Sequence, residues 1–361
     1  MLPLVGSVQR YDWGATDAIP ALLGVPPDGT PQAEWWLGTH PIAPSRVVVD
    51  GVERPLVQVA GGPLPYLVKV LAAAAPLSLQ THPSKAQAEA GFAREDAAGI
   101  ARDAPNRTFR DDNHKPELLV ALEPFDALCG LRRPGPLADR LAGLACAALD
   151  PVVEALRGRH GLRRAVEWLW RRPADEAAAV VRAVAEACAG RDEPDARWVV
   201  RLAERYPGDI GSVVALCCNL VRLRPGEAIF LGPGNLHAYL HGVGVEVMAS
   251  SDNVLRGGLT TKYVDVEALL DVVEFEPLDD PVVRPFPVDD ARERYEVPVP
   301  DFSVERVTVT PGRPVRWTAA GPEILVVVEG HVDDLARGAA VYVSPDEVVT
   351  LGGDGVVFRT A

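Results

Sequence analysis

The stretch from residue 136 to 220 differs from everything around it and limits what the chain can fold into. Ala, Leu, Arg and Glu dominate it, and apolar residues recur at helical spacing, as at Val180, Val181, Val184, Ala187 and Cys188. On either side the sequence has short apolar runs cut by Gly and Pro. Examples are Val47-Val48-Val49, 65–71 and 118–122 before the stretch, and Ala228-Ile229-Phe230-Leu231 after it. A helical block between segments of β character reads as an insertion between strands of one β domain. Its breaks at Asp150-Pro151, Arg172-Pro173, Glu193-Pro194 and Tyr206-Pro207 predict four or five helices. Inside the first β segment, 89–98 is Ala- and charge-rich and predicts a helix, and 106–113 is polar and predicts a loop. Residues 277–300 are rich in Pro and Asp, as a linker would be, and 301–361 return to short β-type runs, a second and smaller β module.

A chain of 361 residues is long enough for a full core and for more than one domain. Its 36 basic and 50 acidic side chains give a net charge of −14. The only basic concentration, at 157–172, lies in the helical block, so neither nucleic acid nor an anionic membrane is expected as a partner. No run of apolar residues is long enough to span a bilayer, and no basic segment followed by an apolar core opens the chain. The five cysteines show no Cys-x-x-Cys spacing, so neither a disulfide framework nor a thiolate metal site is expected and a reducing cytoplasm is the default.

Leu77-Ser78-Leu79-Gln80-Thr81-His82 alternates apolar and polar residues. As a strand it points Gln80 and His82 to one face, about 6.6 Å apart. With one more imidazole and a carboxylate, such donors can hold a divalent ion and leave a position open for water or substrate; Glu117 and His237 would complete the set. On the pair alone, a buried histidine satisfied by a neighbouring hydroxyl explains the pattern equally well. In His114-Lys115-Pro116-Glu117 the proline holds Lys115 extended, so Lys115 and Glu117 project to one side, either into a site or as a surface ion pair. Gly226-x6-Pro233-Gly234-x2-His237 sets a tight turn before a histidine facing the same way as Tyr239 and His241, and resembles the second motif of a cupin barrel.

The most specific stretch is Ser251-Asp252-Asn253-Val254-Leu255-Arg256-Gly257-Gly258-Leu259-Thr260-Thr261-Lys262. It resembles the signature of the type I mannose-6-phosphate isomerases. Five further segments agree with it: Tyr11-Asp12-Trp13-Gly14, Ala33-Glu34-Trp35-Trp36-Leu37-Gly38-Thr39-His40-Pro41, the Leu77 to Pro83 strand, Asn113 to Glu117 and His237-Ala238-Tyr239. Two positions depart from the signature, Gly257 where Ala is usual and Thr261 where Pro is usual.

The resemblance implies a mainly β chain. A jelly-roll (cupin) catalytic domain at 1–135 and 213–276 would carry a helical insertion at 136–212, followed by a smaller, metal-free C-terminal β domain at 277–361. It implies one Zn2+ per chain held by Gln80, His82, Glu117 and His237, and interconversion of mannose 6-phosphate and fructose 6-phosphate through a cis-enediol. Arg256 matches the family's active-site arginine, and Lys115, Glu246, Asp252 and Lys262 match residues lining the same pocket. Glu246 is the expected base, desolvated on the strand after His237, with Lys115 holding a sugar oxygen or relaying protons. Arg256, Lys262 and Lys85 are the expected cations for the phosphate. The expected assembly is a monomer or weak oligomer. Two readings compete: an iron cupin oxygenase, which the glutamine ligand speaks against, and a non-catalytic sugar-binding or regulatory cupin, which the intact Lys115 and Arg256 speak against.

Overall fold

The computed structural model describes residues 1–361. Two large antiparallel sheets, a two-stranded sheet of Val315–Thr318 and Val348–Leu351, and a layer of helices make it up. The sheet that carries the site is built on one long strand, His237–Ala249. Its first part pairs with Leu79–Thr81 and Phe125–Leu131, and its second part with Tyr66–Ala73 and Glu117–Ala121. A register shift between Tyr239 and His241 separates the two parts. Such an irregularity bends a strand, so one strand serves both walls of a barrel-like jelly roll. Glu34–Gly38 and Ser7–Gln9 extend one wall, and Leu255–Gly258 and Cys218–Leu223 extend the other.

Period-two alternation sorts the side chains. Tyr66, Val68, Val70, Leu118, Val120, Val245 and Val247 face outward and pack on Val304, Ile324, Val326, Tyr342 and Phe358 of the second sheet. Leu71, Ala73, Leu119, Ala121, Phe125, Ala127, Cys129 and Tyr239 face inward and close one end of the barrel. Near the other end, inward positions on these and the adjoining strands are polar: Glu34, Lys69, Glu117, Glu246 and Gln80 line a cavity.

The second sheet runs Phe286–Pro287, Arg292–Tyr295, Val304–Val309, Gly353–Thr360, Glu323–Val332, Ala340–Val343, Leu2–Val5, Arg46–Val49, Val52–Pro55. Leu2–Val5 therefore leaves the N-terminal part of the chain to pair with Ala340–Val343. The segment expected as a linker contains strands, because Arg292–Tyr295 pairs residue for residue with Val304–Val309.

The helical block contains Pro134–Ala142, Asp150–Arg157, Gly161–Trp170, Ala174–Cys188, Pro194–Arg205 and the single turn Gly211–Val214. A break that no proline announces falls at 158–160, where His160 takes φ 54°. Leu162, Val166, Leu169 and Trp170 pack with Leu79, Leu236, Ala238, Leu240 and Leu255, so the block covers the outer face of the strands that carry Gln80, His237 and Arg256. No helix is long and apolar enough to cross a membrane.

Candidate metal centre and active site

His82, Glu117 and His237 are buried, and one donor atom from each lies within 4.8 Å of the others. His82 Nε2 stands 3.3 Å from Glu117 Oε1, and His237 Nε2 stands 3.6 Å from Glu117 Oε2. The other ring nitrogens are committed. His82 Nδ1 donates to the Asn253 carbonyl at 2.7 Å and His237 Nδ1 to the Asn235 carbonyl at 2.9 Å. A carbonyl only accepts, so each proton sits on Nδ1 and each Nε2 presents a lone pair. His82 Nε2, His237 Nε2 and Glu117 Oε2 have no hydrogen-bond partner. Three orphaned acceptors converging in a dry interior would be costly, at about 1–3 kcal/mol each. A divalent cation answers all three at once.

The protonation states fit. Burial lowers the His82 pKa, and burial followed by the neighbouring His82 brings His237 down to about 3. Burial pushes the Glu117 carboxyl up, but Lys115 and the two imidazoles outweigh it and hold it well below its usual range. All three groups are therefore in the deprotonated form that a metal requires. Gln80 lies on the adjacent strand, in register with His237 on one side and Arg256 on the other, and lines the same cavity.

Lys115 is buried, with Nζ 2.9 Å from Glu117 Oε1, so the pair belongs to the cavity wall and not to the surface. Trp36, Lys69 and Glu246 stand side by side across three strands. Lys69 Nζ lies 2.9 Å from Glu246 Oε2 and 3.6 Å from Glu34 Oε1. The Tyr239 hydroxyl donates to Glu246 Oε1 at 2.8 Å, and Trp36 Nε1 to Glu34 Oε2 at 2.6 Å. Burial favours neutral Lys69, but Glu246 and Glu34 reverse this and keep it charged. Burial raises the Glu246 carboxyl, and Lys69 only partly offsets the rise. Glu34 and Lys69 have no role in the sequence reading; the available signal was a lone lysine in the apolar run Leu67-Val68-Lys69-Val70-Leu71.

The cavity, about 970 Å3, reaches from this polar end to Arg256, Lys262 and Arg110. Burial, followed by the charge of Arg110, lowers the Arg256 pKa; burial, followed by Arg256, lowers that of Lys262. Arg256 lies on the strand Leu255–Gly258, and Asp252 faces His40 Nε2 at 3.3 Å. Lys85 is not brought to the cavity: its Nζ donates to the Asp112 carbonyl at 2.8 Å on the exposed side of its helix. Arg110, which does line the cavity, was missed because it sits in a polar loop without periodicity. The helical block supports this wall, since Trp170 Nε1 donates to the Gly257 carbonyl at 2.7 Å and Asp209 accepts from the Thr260 amide at 3.1 Å. A Cβ on Gly257 would lie 2.9 Å from Trp170 Cζ2, so the Ala usual in the signature would press on that ring.

A jelly roll with a buried His–Glu–His cluster opening into a polar cavity defines a metal-binding protein of cupin type. Comparison with known proteins narrows the class. Residues 1–134 match the family model "Phosphomannose isomerase type I, catalytic domain". The mannose-6-phosphate isomerase of Salmonella typhimurium is 36% identical over 98% of this chain and 95% of its own length, and that of Escherichia coli is 35% identical over 99% of each. A crystal structure of a point mutant of Salmonella typhimurium phosphomannose isomerase superposes with a TM-score of 0.90 at 33% identity, covering 100% of this chain and 98% of the other. A zinc-bound crystal structure of mannose 6-phosphate isomerase superposes with a TM-score of 0.89 at 33% identity, covering 99% and 98%. The chain belongs to the type I mannose-6-phosphate isomerase family.

Proposed function

We propose that this chain is a zinc-dependent aldose–ketose isomerase that interconverts mannose 6-phosphate and fructose 6-phosphate. The observation that carries the reading is the His82–Glu117–His237 cluster with its three unpartnered donor atoms, at one end of a cavity whose other end carries cations without acidic partners. Gln80, His82, Glu117 and His237 would hold the zinc, one ion per chain. When bound, zinc supplies Lewis-acid polarisation of the sugar's C1 and C2 oxygens.

The chemistry is a proton transfer between C2 and C1 with no net oxidation, so no redox partner is involved. Glu246, raised by burial, takes the proton from C2 of the aldose and returns it to C1 through a cis-enediol, while a second proton passes from O2 to O1, so that the C1 aldehyde becomes a hydroxyl and C2 becomes the carbonyl. Tyr239 and Lys69 hold its two oxygens in place, and each oxygen keeps a second lone pair for the substrate. Lys115 holds a sugar oxygen beside the metal. Arg256, in register with Gln80, stabilises the negative charge that develops on the enediolate. Asp252 orders the wall through His40. Lys262 receives the phosphate.

In this reading 1–135 and 213–276 form the catalytic unit, 136–212 a helical buttress and 277–361 a metal-free β support that also takes in strands Leu2–Val5, Arg46–Val49 and Val52–Pro55. The partner is the small sugar phosphate, and the working assembly is a monomer or weak oligomer in the cytoplasm. Incubating the purified chain with mannose 6-phosphate and measuring fructose 6-phosphate tests the function. Product is expected without nucleotide or flavin; its absence from zinc-loaded protein would refute the reading.

A further inference from the structure

The loop that leads from the helix Lys85–Ala97 to the strand Glu117–Ala121 passes along the cavity wall without regular structure. Irregular backbone keeps a side chain in place only where its amides and carbonyls find partners. Asn253, fully buried, supplies them. Its Oδ1 accepts from the Arg110 amide at 2.7 Å and the Asp111 amide at 3.3 Å, and its Nδ2 donates to the carbonyls of Asp111 and Asn113, each at 2.8 Å. The main-chain carbonyl of the same residue orients His82 at 2.7 Å. One residue thus aligns a candidate metal ligand and presents Arg110 to the cavity.

The cavity's other cations are paired. Lys69 has Glu246 at 2.9 Å, Lys115 has Glu117 at 2.9 Å, Arg107 has Glu95 at 2.9 Å and Arg205 has Asp12 at 4.0 Å. Arg110, Arg256 and Lys262 line the same space and have no carboxylate within ion-pair distance. In a chain with 50 acidic and 36 basic side chains, three neighbouring cations without an acid are not an accident of composition. Left unpaired, they repel one another; an anion in the cavity relieves all three.

We propose that Arg110, together with Lys262, clasps the phosphate of the substrate and so sets the selectivity for phosphorylated over free sugar. A guanidinium presents parallel N–H donors that match two oxygens of a phosphate, which a lysine ammonium cannot do. Arg256 is then left to the reacting carbons, one strand from the metal group. The inference rests on the sugar-phosphate isomerase reading above.

The test is Arg110→Ala and Arg110→Lys, assayed with mannose 6-phosphate, with inorganic phosphate as a competitive inhibitor and with unphosphorylated mannose as a second inhibitor. The loop backbone is held by Asn253, so both variants should fold and keep their zinc. Arg110→Ala should raise KM and weaken phosphate inhibition by about tenfold to a hundredfold, the range for a hydrogen bond to a charged group. It should leave kcat within about threefold and inhibition by mannose unchanged, and Arg110→Lys should recover part of the loss. An unchanged KM, or an equal loss of phosphate and mannose affinity, overturns the assignment of Arg110. A wild-type chain that does not isomerise mannose 6-phosphate overturns the underlying reading instead.

Discussion

Replacing Arg256 by alanine separates a residue that works on the transition state from one that holds the loop together. The loop-holding role would need an ion pair with Asp252, but Asp252 faces His40 at 3.3 Å and Arg256 lies on a strand beside Gln80. Burial and the charge of Arg110 both disfavour its charged form, so its removal relieves repulsion in the resting protein. Stability should therefore stay level or rise slightly. Turnover should behave differently. A preorganised donor aimed at developing negative charge is worth about 3–4 kcal/mol, or two to three decades in kcat. An exposed ion pair would be worth under about 1 kcal/mol, a loss of about fivefold at most. The assay is steady-state isomerisation of mannose 6-phosphate alongside thermal unfolding and zinc analysis of the same preparation. A variant that keeps more than about a third of wild-type turnover, or that unfolds at markedly lower temperature, would refute the transition-state role.

Gly257→Ala should drive a methyl into the Trp170 ring, 2.9 Å away, costing about 1–3 kcal/mol in unfolding free energy and shifting the tryptophan emission; an unchanged spectrum and stability would mean that the ring is not held there. Asp195 accepts from Arg140 at 2.9 Å and from Arg132 at 3.0 Å inside the helical layer. Burial pushes its carboxyl up, but the two arginines outweigh this and hold it below its usual value. With the folded-state pKa below the unfolded one, the stabilisation is complete above about pH 4 and is lost as pH falls through the folded value. Asp195→Asn should lower stability at neutral pH by about 1–3 kcal/mol and flatten the acid limb of a denaturation series; an unchanged acid limb would contradict this. His331→Ala, an exposed change in the C-terminal sheet, should leave zinc content and turnover as they were, and a large fall in either would mean that the site is misplaced.

Strands such as 66–73 and 117–121 were legible as short apolar runs cut by Gly and Pro, because both of their faces are buried and leave almost no polar positions. The insertion was legible from its helical spacing, and most of its breaks from proline. The break before Gly161 was not, since His160 turns the chain by taking a positive φ that no proline marks. Barrel closure was hidden too: the sequence reading put Glu246 on a strand after His237, whereas both lie on the single strand His237–Ala249, which bends to serve two walls. Among the polar groups, the Gln80–His82 pair was ambiguous on its own, and Gln80, His82, Glu117 and His237 came together as a set only through the family resemblance carried by the 251–262 stretch. Lys69 and Glu34 did not stand out, since their meaning comes from a cross-strand row that joins residues over 170 positions apart. Arg110 shows the same limit for loops: its backbone is fixed by Asn253, 143 residues further along, which no local pattern announces.

Zinc titration of metal-stripped protein, with turnover of mannose 6-phosphate followed at each addition, tests the central claim most directly. Activity should rise in proportion to bound zinc and stop at one ion per chain, while His82→Ala, which removes one of the bare Nε2 donors, should show neither tight binding nor turnover. Stoichiometric zinc in His82→Ala, or full activity in the metal-free wild type, would contradict the account.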